Sequence, residues 1–174
     1  MRMISLLWVC VLTFGFSFSM PGDGTVFAAD KMSLNLCSDQ KLGIKILCNP
    51  DWQLVTKQHN FTMIIEEDAQ ESVSVTIAKS DQKAGRLSEL NRSVLQFLGG
   101  YEDFFKVESF KFGSRDALKV EGGLKESPDT QSLDYYLIHD GYLYMVLFSC
   151  HPKKHFVNYK KMFEEMIASF EFIE

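Results

Sequence analysis

The dipeptide Asp140-Gly141 divides a long apolar run into two arms, Ser132–His139 and Tyr142–Cys150. Asp-Gly supplies two adjacent residues that tolerate positive φ, which a two-residue hairpin turn requires. With the turn placed, the register follows. His139 faces Tyr142, Leu137 faces Tyr144, Tyr135 faces Val146 and Leu133 faces Phe148. The other face pairs Ile138 with Leu143 and Tyr136 with Met145. Both faces are therefore apolar or aromatic. A strand that is apolar on both faces is covered on both. The hairpin is thus predicted to lie near the middle of a sheet, with a layer on either side.

The other elements follow from periodicity. Leu42–Cys48 alternates Ile44, Ile46 and Cys48 against Lys45 and reads as a strand, ended by Asn49-Pro50-Asp51. Asn60–Glu66 reads as a strand with Phe61, Met63 and Ile65 on one face, followed by an acidic loop from Glu66 to Glu71. Ser72–Lys79 alternates most cleanly, with Val73, Val75 and Ile77 inward. Leu87, Leu90, Val94 and Leu98 fall on one face of a predicted helix that Gly99-Gly100 stops. Phe104–Phe112 and Asp116–Glu121 read as two strands joined through Gly113-Ser114. Phe156, Tyr159, Phe163, Met166 and Phe170 mark a last helix, and Phe170–Ile173 a short strand or docked tail. Strands, helix, strands, helix is the order of an α+β domain: a mainly antiparallel central sheet with helices packed on its faces.

Length and composition limit what such a domain does. The chain has 174 residues, enough for one domain, and 13% are aromatic, enough for a real core. The net charge is -5, whereas a nucleic-acid binder shows a basic face, so nucleic acid is not an expected partner. No phosphate-binding glycine loop, zinc-ligand spacing or nucleophile motif is present. No cofactor and no catalytic residue is assigned, and the expectation is a protein that is not an enzyme.

Residues 1–28 read as a secretory signal peptide. Arg2 precedes the uncharged apolar run Ile4–Phe18, a breaker-rich stretch follows, and Val26-Phe27-Ala28 places small residues before a cut at Ala29. An uncleaved N-terminal anchor is the alternative, but the run is short for a membrane span. Trp8 and Val9 before Cys10 do not fit a lipoprotein site. Residues 29–174 then form the single folded domain, expected to be exported to the periplasm or secreted, with no transmembrane segment after cleavage. Cleavage removes one cation, Arg2, and one anion, Asp23, so the acidic balance stays with the domain.

Export permits disulfides. Cys37 and Cys48 flank a bend and are a candidate pair; three buried, reduced cysteines, Cys150 included, is the preferred reading. Cys150, His151 and His155 are weak candidates for a metal site, because a thiol and two imidazoles lie close in sequence but no fourth ligand is visible. Cys150 as a nucleophile beside His151 is disfavoured, since adjacent strand residues point to opposite faces. Glu66, Glu67, Asp68 and Glu71 lack the order of a calcium loop and read as a solvated turn. Asn60 and Asn91 fit the glycosylation sequon, and Asn91 is placed inside the helix. Tyr101, Tyr135, Tyr136, Tyr142 and Tyr144 could line a ligand groove, with core packing the ordinary explanation.

Three segments together resemble the PsbP-like superfamily, which takes in PsbP of photosystem II, Ran-binding Mog-type proteins and exported bacterial DcrB-like proteins. Gly43–Trp52, GIKILCNPDW, is similar to that group's opening strand and turn, with Pro50 and Trp52 in place and Cys48 where an aromatic is usual. Gly113–Val120, GSRDALKV, is similar to a second strand entry. Gly141–Phe172 is similar to the closing strand, helix and terminal Ser-Phe-x-Phe, here Ser169-Phe170-Glu171-Phe172. The resemblance implies a PsbP-like sandwich. It also implies a non-enzymatic accessory role at the cell envelope in a bacterial exported member, through a protein partner of unknown identity. A small ligand or lipid carried in an apolar pocket between sheet and helices is the alternative.

Overall fold

The computed structural model describes residues 34–57, 60–68 and 71–173. The proposed signal peptide lies outside them. The described residues form an α+β domain whose strands pair antiparallel. Its main sheet has seven strands: β3 (Gln53–Lys57), β4 (Asn60–Asp68), β5 (Glu71–Lys83), β9 (Tyr142–His151), β8 (Ser127–His139), β7 (Arg115–Leu124) and β6 (Tyr101–Phe112), in that spatial order. A second sheet of three strands holds β1 (Asn35–Asp39), β2 (Ile44–Cys48) and β10 (Glu171–Phe172). Two helices, α1 (Arg92–Gly99) and α2 (Phe156–Ala168), complete the domain.

The β8–β9 hairpin sits in the interior of the large sheet, with β5 and β7 on its flanks. Its register is the one read from Asp140-Gly141, from His139↔Tyr142 to Leu133↔Phe148. Asp140 takes φ 51° and Gly141 φ 80°, the left-handed pair that this turn needs. The two-sided burial is equally explicit. Leu133, Tyr135, Leu137, Tyr144, Val146 and Phe148 join one core cluster, while Tyr136 and Leu143 join another on the opposite face.

The larger core is closed by α2 and the small sheet together. Phe163 and Met166 are fully buried against Phe148 and its neighbours, and Ile44, Ile46 and Cys48 of β2 cap the same space. Ser169 holds these layers in place: its hydroxyl donates to the Met166 carbonyl (2.6 Å) and accepts from the Leu47 N–H (2.8 Å). Tyr144 adds a second tie by donating to the Leu42 carbonyl (3.1 Å). Phe170 is buried, and Phe172 stacks on His139 with ring centroids 3.6 Å apart. The terminal Ser-Phe-x-Phe therefore acts as a packing device.

Several expectations need correction. The helix face Leu87, Leu90, Val94, Leu98 does not form. Leu87–Glu89 is a separate 3-10 turn, and α1 begins only at Arg92. Asn91 is the reason. Its side chain accepts the Val94 N–H (3.1 Å), so it caps a new helix rather than sitting inside a continuous one. The new phase buries Leu95 and leaves Val94 and Leu98 more than a third exposed. The acidic turn is also shorter than expected, since the β4–β5 ladder continues through Glu66↔Ser72 and Asp68↔Glu71. Finally, Cys37 and Cys48 are joined as a disulfide with Cα atoms 5.9 Å apart, where reduced thiols were preferred. The antiparallel β1–β2 ladder places them diagonally on neighbouring strands, within bonding reach.

Candidate functional site

The sequence candidates around α2 are held apart by their own partners. Cys150 is buried at the end of β9, its Sγ 3.7 Å from the Pro152 carbonyl. Burial, with Glu71 adding to it, pushes its thiol up to about 11, so it stays protonated and is a poor nucleophile. His151 places Nδ1 3.5 Å from the Thr130 hydroxyl, and His155 places Nε2 3.5 Å from a Glu71 carboxylate oxygen. Among the described residues, no group of three or more His, Cys, Asp or Glu side chains could hold a metal ion. The side chains of Glu66, Glu67 and Asp68 lie outside the described residues.

Tyr101, Tyr135, Tyr136 and Tyr144 are buried in the cores, and Tyr135 contacts Phe110, Phe112 and Phe148 edge-on. Tyr101 and Tyr136 instead join a sealed polar cluster. The Tyr101 hydroxyl donates to Asp134 and lies 2.8 Å from the Tyr136 hydroxyl. Ser132 lies 2.6 Å from the other Asp134 oxygen and donates to the Phe148 carbonyl at 3.0 Å. Burial pushes the Asp134 carboxyl up to about 7, against the opposing pull of the hydrogen bonds that Ser132, Tyr101 and the Phe148 backbone offer its ionised form. Burial first, and Asp134 second, raise the hydroxyl of Tyr101 well above its ordinary value. A cluster this enclosed has no route for a substrate. The sequence does carry its signal, an acid between Leu133 and Tyr135 on a strand otherwise covered on both faces.

The accessible feature is the corner where α1 meets the start of β6. Here the pairing of β6 with β7 slips between Tyr101 and Phe105, forming a bulge. Arg92 at the first turn of α1 spans it, donating to the carbonyls of Phe105 (3.1 Å) and Asp103 (2.9 Å) while lying 4.0 Å over the Phe105 ring. Gln96 donates to the Asp103 carboxylate (2.9 Å), and Lys125 pairs with the same group at 3.2 Å. The two contacts hold that carboxyl below its usual range. On this braced frame Phe104 is 90% exposed and Phe97 63%. An open groove of about 700 Å³ runs beside Phe104, lined also by Arg92, Lys106, Lys153 and Lys160. The consecutive pair Phe104-Phe105 was the available signal, since neighbouring strand residues face opposite ways and only one of two can be covered by one layer.

No family model matches the chain, and no curated protein matches it by sequence. Solved structures do match in fold. Cyanobacterial PsbP (CyanoP) from Synechocystis sp. PCC 6803 superposes with a TM-score of 0.53 at 16% identity, covering 86% of this chain and 98% of that one. LpqN, described as involved in cell envelope biogenesis of Mycobacterium tuberculosis, superposes at 0.51 with 11% identity, covering 82% and 91%. At these identities the likeness is one of architecture, and the architecture is PsbP-like. Among the described residues no helix is long and apolar enough to cross a membrane.

Proposed function

We propose that this chain is an exported, non-enzymatic accessory protein of the cell envelope, with residues 1–28 as its signal peptide, and that it binds a protein partner through the α1–β6 corner. The carrying observation is the exposure of Phe104 and Phe97 on a frame held by Arg92 and Gln96. Large aromatics left in water on a rigid support cost solubility, and a partner surface is the ordinary reason to keep them. Two further points support the reading. The larger core packs Phe163 and Met166 of α2 against Phe148 of β9. The PsbP-like architecture is shared with an envelope biogenesis protein.

Native mass spectrometry of the protein purified from its own compartment tests this against the carrier alternative. The reading expects a bare chain, alone or with a protein partner. A reproducible extra mass of a small molecule would overturn it in favour of a carrier.

A further inference from the structure

The outer edge of β6 has no strand beside it among the described residues, because β6 ends the seven-strand order. Its backbone phase can be read from Arg92. The guanidinium donates to the Phe105 carbonyl, from which we infer that this carbonyl turns away from β7. In an antiparallel ladder alternate residues turn both backbone groups toward the same neighbour. From Phe105 onward, the residues with outward N–H and C=O groups are therefore Phe105, Val107, Ser109 and Lys111. Between them Lys106 and Glu108 project from one face, 68% and 45% exposed, forming an ion pair at 2.6 Å. Val107 itself is exposed on the opposite face.

This pattern is complementary to itself. Consider two copies of β6 paired antiparallel about a two-fold axis at Val107. Val107 then faces Val107 of the second copy with both backbone hydrogen bonds formed. Lys106 faces Glu108 of the second copy, twice over, in the non-hydrogen-bonded positions where opposite side chains come closest. Phe105 faces Ser109 and ends the ladder on each side, because the Arg92 guanidinium already occupies the Phe105 carbonyl. Shifting the axis to either neighbour removes the match. An axis at Lys106 opposes two ammonium groups, and an axis at Glu108 opposes two carboxylates, which is destabilising.

We propose that the partner of the β6 edge is a second copy of this chain, joined about Val107 so that two seven-stranded sheets become one continuous sheet. An open strand of this length otherwise invites unspecific pairing; the alternating Lys106 and Glu108 charges favour the axis at Val107, where both are matched, over the axes on either side. Such an interface is isologous, as most dimer interfaces are. The proposal stands apart from the partner reading of Phe104 and Phe97.

The test is light scattering coupled to size exclusion over a concentration series, using protein expressed as the full chain and purified in the form in which it accumulates. The wild type is expected at twice the chain mass. Lys106→Glu alone and Glu108→Lys alone are expected to be monomeric, because each brings like charges together. Mixing the two variants is expected to restore the dimer. One copy then carries carboxylates at both positions and the other carries ammonium groups at both, so each cross-strand pair is again of opposite sign. Val107→Pro removes an outward N–H that the fold does not use, so it is expected to keep the wild-type circular dichroism spectrum and lose the dimer. A wild type that stays monomeric throughout overturns the proposal, as does a mixture that stays monomeric or a dimer that survives Val107→Pro.

Discussion

Tyr101, the first residue of β6, donates its hydroxyl hydrogen bond to Asp134, deep in β8 and 33 residues later. Both are essentially inaccessible to water. Four polar contacts run through the cluster: Tyr136 to Tyr101, Tyr101 to Asp134, Asp134 to Ser132, and Ser132 to the Phe148 carbonyl. A neutral Asp134 gives each contact its own proton, with the carboxyl donating to Ser132 and Ser132 donating onward. An ionised Asp134 leaves the chain one proton short and places an unpaired charge in an apolar layer, which is costly.

That proton count fixes a pH dependence. The Asp134 carboxyl is pushed up to about 7 in the folded protein, against an ordinary value of 3.8. Between those values the folded chain holds a proton that the unfolded chain has released. Stability therefore falls as pH rises through this window, by at most about 4 kcal/mol for a shift of this size. Asp134→Asn, which cannot ionise, should lose less on the same climb. Thermal melts of both proteins from about pH 4 to about pH 8 check this, and parallel curves would refute it.

The Cys37–Cys48 bond closes the β1–β2 hairpin over a sequence separation of 11. A loop of this size predicts that reduction costs about 3 kcal/mol of stability. In the chain cleaved before Ala29, which lacks Cys10, intact mass under non-reducing conditions should sit about 2 Da below the all-thiol value, and Cys150 alone should react with a thiol reagent after unfolding. Three reactive thiols in the unreduced protein would contradict the pairing.

The buried and exposed apolar residues at the corner should separate cleanly. Leu95 is the buried anchor of α1, so Leu95→Ala should cost about 2–5 kcal/mol. Phe104→Ser and Phe97→Ser remove exposed rings and should change stability by less than about 0.5 kcal/mol, while weakening partner capture. Denaturant melts of the three variants decide the matter. A large stability loss in Phe104→Ser would place that ring in the core instead.

Asn91 starts α1 through its hydrogen bond to the Val94 N–H. Asn91→Ala should destabilise the domain by about 1 kcal/mol, and Asn91→Asp or Asn91→Ser should recover most of that loss. Equilibrium unfolding of the set is the check. An alanine variant as stable as wild type would show that the cap is dispensable.

Much of the fold was legible because the sheet is specified two residues at a time. Asp140-Gly141 fixed the register of the central hairpin, and the two-sided apolar pattern placed it in the interior. α1 was misphased because heptad-like spacing counts leucines and does not see that Asn91 restarts the helix. The polar cluster was missed because Tyr101 of β6 meets Asp134 of β8 only through the tertiary pairing of both strands with β7. The accessible corner was missed for a related reason. The pair Phe104-Phe105 signals that one ring is left uncovered, but which ring and what braces it follow from the slipped pairing between Tyr101 and Phe105 and from Arg92.

The central claim is that the α1–β6 corner meets a protein partner. A photo-crosslinking amino acid at position 104, introduced in the cell that makes the protein, tests it directly. Position 157 on α2, also strongly exposed, serves as the control surface. Position 104 is expected to give a discrete crosslinked protein of one mass, other than a second copy of this chain, and position 157 none. Equal crosslinking from both positions, or none from 104, would contradict it.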